Sequence, residues 1–445
     1  MDYPTSMHIY FIGIGGTGVG PLALIASQAG YQVSGSDGKE SEYTRYLEKK
    51  GLKLWIDQSG KKMAELHTNS PIDWVISVSA ITHNNPDHPE LVFAREHGIR
   101  ITERDAGLNE ILEAKNLKMI AAAGTHGKTT TTAMFVWVLK QLNIPVSYSV
   151  GAKMSFADMG HYEPGSEYFI YECDEFHRNF LKFFPHLSVI SGIAWDHHEV
   201  FPSKEDYNQA FRDYIAQTSQ TILWDNDATY IGVGASEAID ICDSSEPGVT
   251  EITLPGLYNR RDAWLVLEAV HKLFGTDKDT LRDILGSFPG TQRRMEELSA
   301  GLYTDYAHTP EKIVGCMSVA QEIARDMGKS VVVVYEPLTN RRQHFMKLDY
   351  KDCFDGAKKL YWIPSYLARE DPNQALLAPK ALISYLTDPS LAEPADMDDA
   401  LWGIIQDELK DSIVVCMSGG GGNSLDEWLR TKTTVQEQSQ SAHQG

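Results

Sequence analysis

The chain has 445 residues, 42% of them hydrophobic, and its 40 basic and 61 acidic side chains give a formal charge of −21. That length has room for two to four domains, each with enough apolar residues for a packed core. The acidic balance argues against nonspecific nucleic-acid binding, which neutralises phosphates with Lys and Arg, but leaves open an anionic small molecule held by local cations or helix N-termini.

No apolar run approaches the roughly 20 residues that cross a bilayer. The first 21 residues contain Asp2 and no basic stretch, so neither membrane insertion nor a signal peptide is expected and the reading is cytoplasmic. Cys173, Cys242, Cys316, Cys353 and Cys416 are far apart and form no Cys-x-x-Cys pair, which points to reduced thiols rather than disulfides or zinc.

From Met7 the order is an apolar strand to Ile14, the glycine turn Gly13-Ile14-Gly15-Gly16-Thr17-Gly18, a helix from about Gly18 and a strand over Tyr31 to Ser36. This βαβ start, with Asp37 nineteen residues past Gly18, fits the dinucleotide fingerprint, in which glycines admit a pyrophosphate and an acid holds a ribose hydroxyl. A strand at Asp73 to Val78 and helices at His88 to Glu96 and Asp105 to Ala114 complete a first α/β domain ending near residue 115.

A second unit opens with the apolar run Leu117 to Ala123, which leads into Gly124-Thr125-His126-Gly127-Lys128-Thr129-Thr130. A strand that turns tightly on glycine and opens a helix aims backbone N–H groups and the positive helix end at one point, where polyphosphate charge is neutralised. Lys128 adds a point charge for the β- and γ-phosphates, and the Thr129 hydroxyl suits Mg2+; Ala122 stands where the general phosphate-loop pattern has its first glycine. The strands read over Glu167 to Cys173 and Leu187 to Ala194 deliver Glu172 and His197 at the end of an α/β sheet where ligands gather. Glu172 is a hard oxygen donor suited to Mg2+, whereas His197-His198-Glu199 matches no common zinc spacing. A helix from Arg260 to Phe274 closes the unit.

A third α/β pattern follows Phe288-Pro289-Gly290. It has a strand near Tyr303, a helix from Thr309, strands at Val331 to Tyr335, Leu360 to Ile363 and Ile413 to Met417, and a final helix opened by Gly419 to Gly422. The Gln/Ser/Thr-rich tail, 431 to 445, is expected to be disordered.

Gly-Thr-His-Gly-Lys-Thr-Thr at 124 to 130 resembles the ATP loop of the Mur ligase family, in particular its alanine-adding branch, which acts on UDP-N-acetylmuramate. The glycine turn, Gly35-Ser36-Asp37, Ser79-Ala80-Ile81, Glu172-Cys173-Asp174-Glu175, Asp196-His197, Arg293-Arg294 and Asp305-Tyr306-Ala307-His308 occur in that family's order. The resemblance implies a three-domain α/β fold: a Rossmann-like UDP-sugar domain over 1–115, a central phosphate-loop ATP and Mg2+ domain over 116–290, and a Rossmann-like C-terminal domain over 291–430. It further implies that the lactoyl carboxylate of UDP-N-acetylmuramate is phosphorylated by ATP and joined to the amine of L-alanine.

Carried onto this sequence, the resemblance assigns Gly13, Gly15, Gly16, Thr17, Gly18, Ser36, Asp37 and Ser79 to the UDP-sugar. Gly124, Thr125, His126, Gly127, Lys128, Thr129, Thr130, Asn259 and Arg293 go to ATP, and Thr129, Glu172 and His197 to the metal. His308 and Arg342 go to the amino acid, and Lys128, His197, Arg293 and Asp305 to catalysis. Oligomeric state is left open.

The chain departs from that branch at Gly192 and Ala194, where Asn and Glu are usual, at Asp262, where a second asparagine is usual, and at Leu338-Thr339, where a His-Arg pair is usual. Glu-Pro-x-x-Asn at 336 to 340 is closer to a recycling ligase that attaches the tripeptide L-Ala-γ-D-Glu-meso-diaminopimelate to the same nucleotide sugar. Remoter readings are an NAD-dependent oxidoreductase using the first glycine turn, or a nucleotide-binding protein without catalysis.

Overall fold

The computed structural model describes residues 7–197, 200–368 and 370–443, so His198 and Glu199 lie outside the described residues. The fold is α/β and carries three sheets. By internal contacts the chain forms two compact units, Met1–Ile252 with Arg261–Phe288, and Thr253–Arg260 with Pro289–Gly445.

The first sheet contains β1 (His8–Ile12), β2 (Gln32–Ser36), β3 (Lys53–Trp55), β4 (Trp74–Ser77) and β5 (Arg100–Glu103), in the order β3-β2-β1-β4-β5. All its pairings are parallel. Every residue of β1 is buried, as expected for a central parallel strand covered on both faces. The chain leaves β1 toward β2 on one side and later adds β4 on the other, so the glycine turn after β1 lies at the topological switch point, where open α/β sheets bind ligands.

The second sheet contains β6 (Lys118–Ala123), β7 (Ser147–Ser149), β8 (Gly160–His161), β9 (Tyr168–Glu172), β10 (Leu187–Ile190), β11 (Thr221–Trp224) and β12 (Ile239–Cys242), in the order β12-β11-β10-β6-β9-β7-β8. Only the edge pair β7–β8 is antiparallel. One buried apolar cluster, from Ile9 and Trp74 through Ala123 and Phe169 to Leu223, joins the first two sheets in a single unit.

The second unit holds β13 (Glu296–Ser299), β14 (Leu302–Asp305), β15 (Ser330–Glu336), β16 (Lys359–Trp362), β17 (Ala392–Pro394) and β18 (Ser412–Ser418), in the order β13-β14-β18-β15-β16-β17. Separate apolar clusters cover its faces, one around Tyr335 and Trp362 and one around Val334 and Leu429. The final helix, Leu425–His443, continues through the segment where the sequence suggests disorder. Along it the hydroxyls of Thr431, Thr433 and Thr434 donate to carbonyls one turn back.

Candidate functional site

Strand β6 is buried except at its first residue, and the loop after it opens the helix Lys128–Gln141. Gly127, the N-cap, has φ +78°, and a Cβ there would lie 2.7 Å from Asp262 Oδ2. Backbone conformation and space therefore both demand glycine. Thr125 is tied down by its Oγ1, which donates to the Ala194 carbonyl at 2.9 Å and meets the Tyr207 hydroxyl at 2.6 Å. In the first turn of the helix, Thr129 Oγ1 donates to Glu172 at the end of β9, at 2.9 and 3.0 Å to its two oxygens. Thr130, beside it, is buried.

Lys128 Nζ donates to the Gly124 carbonyl at 2.7 Å and to Glu175 Oε2 at 2.6 Å, with Asp174 at 3.6 Å. Glu175 is fully buried and also receives His197 Nε2 at 3.5 Å and the Tyr207 hydroxyl at 3.5 Å. Burial alone would raise the Glu175 carboxyl, but Lys128 and His197 outweigh it and hold the group well below the usual carboxylate range. Burial likewise opposes the charge on Lys128, and Glu175 and Asp174 override it, so the ammonium is held protonated. His197 has φ +55°, its ring lies on Phe176 at 4.7 Å, and its backbone N–H donates to Asp196. The two consecutive left-handed residues His177 and Arg178 follow Glu175 and Phe176, so backbone strain gathers beside this cluster.

The departure at Gly192 has a local cause. A Cβ at 192 would lie 2.2 Å from the His126 ring, so the imidazole occupies the space a side chain would need. Asp262 is 5% exposed behind Gly127, and burial raises its carboxyl well above the ordinary value, with Arg261 opposing and Asp227 adding to the shift. Asp227 accepts the Ile193 N–H at 2.9 Å and is pushed up by burial to about 6.

At the first sheet, Gly13 has φ +78° and donates to the Ser36 carbonyl, and Gly16 donates to the Gly13 carbonyl. Asp37 Oδ2 accepts the Gly15 N–H at 2.8 Å, so this carboxylate braces the glycine turn itself. Gly16 and Thr17 are exposed, and Gly18 caps the helix Val19–Gln28. Ser36 Oγ donates to the buried Glu90 at 2.6 Å. Ser79 opens the short helix Ser79–Asn84.

In the second unit Arg293, Asp305, His308 and Arg342 lie toward the carboxyl ends of β14, β18 and β15. Arg293 Nη2 donates to the carbonyls of Ser418 and Gly420 at 2.7 and 2.9 Å, and its guanidinium stacks on Tyr306, as does that of Arg294. Asp305 accepts the N–H groups of Met295 and Ala307, both at 2.8 Å, and burial raises its carboxyl. His308 is 4% exposed, and its Nδ1 lies 2.7 Å from the Tyr306 carbonyl. That bond requires the proton on Nδ1 and leaves Nε2 as the acceptor. Burial, reinforced by Lys312, Arg342 and Arg294, keeps this imidazole neutral. The Arg342 N–H donates to Thr339 Oγ1, which caps the helix Asn340–Met346. Asn259, in the same unit, donates through Nδ2 to the Pro255 carbonyl at 2.8 Å.

The geometry therefore brings together Thr129 with Glu172, and Lys128 with His197 through Glu175, while His308 and Arg342 share only an electrostatic influence. The sequence reading overlooked Glu175 and Tyr207 as site residues. Glu175 stands in the quoted acidic cluster, but nothing in the sequence says which of its acids turns inward. Tyr207 carries no motif at all.

The donor set suits a hard cation. Among the described residues no three His, Cys, Asp or Glu side chains converge as a metal cage, yet a hydroxyl and a carboxylate beside a phosphate loop are the one or two protein oxygens with which Mg2+ on a nucleotide is usually held.

Two family models match the chain, the Mur ligase family catalytic domain over residues 8–116 and the Mur ligase middle domain over residues 122–242. A UDP-N-acetylmuramate–L-alanine ligase of Clostridium perfringens is 28% identical over 81% of this chain and 84% of its own length. The enzyme of the same name from Carboxydothermus hydrogenoformans is 28% identical over 93% and 94%. Among solved structures, the UDP-N-acetylmuramate–alanine ligase of Thermotoga maritima shares the fold with a TM-score of 0.75 at 23% identity, over 98% of this chain and all of that one. A murein peptide ligase of Psychrobacter arcticus does so with a TM-score of 0.62 at 20% identity, over 96% and 98%. No described helix is long and apolar enough to cross a membrane.

Proposed function

This chain belongs to the Mur ligase family, and we propose that it joins the lactoyl carboxylate of UDP-N-acetylmuramate to the amine of L-alanine, converting ATP to ADP and phosphate. A carboxylate is a poor electrophile, so its oxygen first attacks the γ-phosphorus of ATP. The bond from that phosphorus to the β,γ-bridging oxygen breaks and ADP leaves, giving an acyl phosphate. The amine nitrogen then adds to the acyl carbon, phosphate departs with the bonding electrons, and the ammonium loses its proton.

Little covalent chemistry falls to the protein in the first step, and positioning with charge neutralisation carries it. The observation that carries the reading is the pairing of Thr129, the residue directly after Lys128, with Glu172. Bound there, Mg2+ would neutralise the β- and γ-phosphates. Lys128 supplies the mobile cation and Glu175 sets where it waits. In the second unit, the neutral His308 with its Nε2 acceptor and the cationic Arg342 match an amino acid's ammonium and carboxylate. The names of the relatives support L-alanine as the amine.

A second reading, attachment of the tripeptide, draws on the Glu-Pro-x-x-Asn run at 336 to 340, which is closer to the recycling ligase. A panel of L-Ala, L-Ser, Gly and tripeptide tests both readings by phosphate release. Release that needs UDP-N-acetylmuramate and is fastest with L-Ala is expected. Tenfold preference for tripeptide, about 1.4 kcal/mol, transfers the assignment to the second reading, and release indifferent to the nucleotide sugar removes both.

A further inference from the structure

Tyr207 stands in the first turn of the helix Lys204–Gln217 and is fully buried. Aromatic neighbours hold its ring, Phe201 edge-on at 4.9 Å and Phe211 at 5.2 Å. The hydroxyl is thereby carried to a point between the phosphate loop and the carboxylate that holds Lys128, 2.6 Å from Thr125 Oγ1 and 3.5 Å from Glu175 Oε1. Burial, reinforced by Glu175, raises the phenol above its ordinary value, so the group stays a neutral O–H.

Thr125 Oγ1 accepts the Ala194 N–H at 2.9 Å and gives its single proton to the Ala194 carbonyl, also at 2.9 Å. The proton in the 2.6 Å contact is therefore the tyrosine's, and it fills the last acceptor position of the threonine hydroxyl. Residue 194, where glutamate is usual in the alanine-adding branch, gives the loop only its backbone; the polar side chain that reaches Thr125 is Tyr207. Glu175 takes Lys128 Nζ through Oε2 at 2.6 Å, which leaves Oε1 to Tyr207 and His197, each at 3.5 Å. One buried hydroxyl thus touches the loop ahead of Lys128 and the carboxylate that Lys128 grips. A phosphate loop and its lysine act on one polyphosphate only while their donors converge, so the spacing between loop and cation has to be held.

We infer that Tyr207 is a positioning residue whose hydroxyl keeps the phosphate loop, through Thr125, in register with the Lys128–Glu175 pair. This rests on the reading that the loop takes ATP. No motif marks the residue, because its role comes from a helix packed beside the loop and not from the loop itself.

The test is calorimetric titration of ATP with Mg2+, without nucleotide sugar, into the wild type, Tyr207→Phe, Thr125→Val and the double variant. Tyr207→Phe keeps the ring against Phe201 and Phe211 and removes only the oxygen. Its Kd for ATP should rise at least fivefold at unchanged stoichiometry, and in turnover its KM for ATP should rise while that for UDP-N-acetylmuramate stays within twofold. A damaged fold lowers stoichiometry and rate but leaves Kd and KM alone. Because Tyr207 acts through Thr125, the double variant should bind ATP within twofold of the weaker single variant. A Kd for Tyr207→Phe within twofold of the wild type overturns the inference, as does a double variant whose loss is the product of the two single losses. Should Tyr207→Phe fold too poorly to titrate, Tyr207→Leu is read by the same limits, and loss of the fold in both makes the residue structural and overturns the inference. Failure of the wild type to bind ATP overturns the ATP reading and the inference with it.

Discussion

Lys128 and Glu175 form a buried ion pair, 2.6 Å from Nζ to Oε2, that folds the loop's own cation back onto the Gly124 carbonyl. A carboxylate stripped of water is tolerable only while that partner stays. A phosphate oxygen that replaced the Gly124 carbonyl would reach the ammonium without displacing Glu175.

Lys128→Ala is therefore expected to do two things. Phosphate release should fall at least about 10²-fold, the scale of losing one preorganised electrostatic group. Stability should fall by about 3–5 kcal/mol, because Glu175 is left buried and unpaired. A double-mutant cycle with Glu175→Ala in denaturant melts should show strong coupling, and additive losses would contradict the pairing. Since Glu175 is held below its unfolded value, its contribution is present above the unfolded pKa of about 4.3 and is lost as pH falls further.

Gly192→Asn restores the residue usual in the alanine-adding branch, yet here it should harm the protein. The new Cβ would start 2.2 Å from the His126 ring, so the imidazole has to leave its place in the phosphate loop. A loss of about 1–3 kcal/mol is expected, as for overpacking elsewhere, together with a raised KM for ATP. An unchanged melt and KM would show that His126 is free to reorient.

Glu90 is buried against the hydroxyls of Tyr10 and Ser36, and burial pushes it up to about 7. A carboxyl raised on folding binds more protons in the native state, so its stabilising effect is full below the unfolded pKa near 4.3 and fades as pH rises through about 7. Denaturant melts should show stability falling over that window, by up to about 3 kcal/mol from this group. Glu90→Gln should flatten the profile, and an unaltered slope would contradict the assignment.

Glu172→Gln keeps the shape of the side chain and removes its charge. The Mg2+ concentration giving half-maximal phosphate release should rise at least about tenfold, with little change in KM for the nucleotide sugar, if Glu172 acts at the metal. A selective rise in the nucleotide-sugar KM would place the residue elsewhere.

The strand-loop-helix units were legible because each is local: the apolar run into Gly124 and the Thr-rich turn after Lys128 are contiguous in the chain. What escaped is set by packing across it. The strands β3, β5, β7, β8, β11, β12, β13 and β17 have two to four residues, too few to display a period. The fingerprint at Asp37 gives a carboxylate of the right type, but the sequence does not reveal that it holds Gly15. Glu175 and Tyr207 are 32 residues apart and meet only because the helix Lys204–Gln217 packs against the helical turn Phe176–Lys182 that follows β9. Gly192 reads only as a departure from the alanine-adding branch until the His126 ring is seen to fill its place.

The central claim is that an acyl phosphate links ATP to the new amide bond. UDP-N-acetylmuramate labelled with 18O in both lactoyl carboxylate oxygens, turned over with ATP and L-alanine, tests it most directly when the released phosphate is analysed by mass. One 18O atom in each phosphate is predicted, because the carboxylate oxygen that attacks the γ-phosphorus leaves with it. Unlabelled phosphate would mean that water, not the carboxylate, takes the phosphoryl group, and would contradict the account.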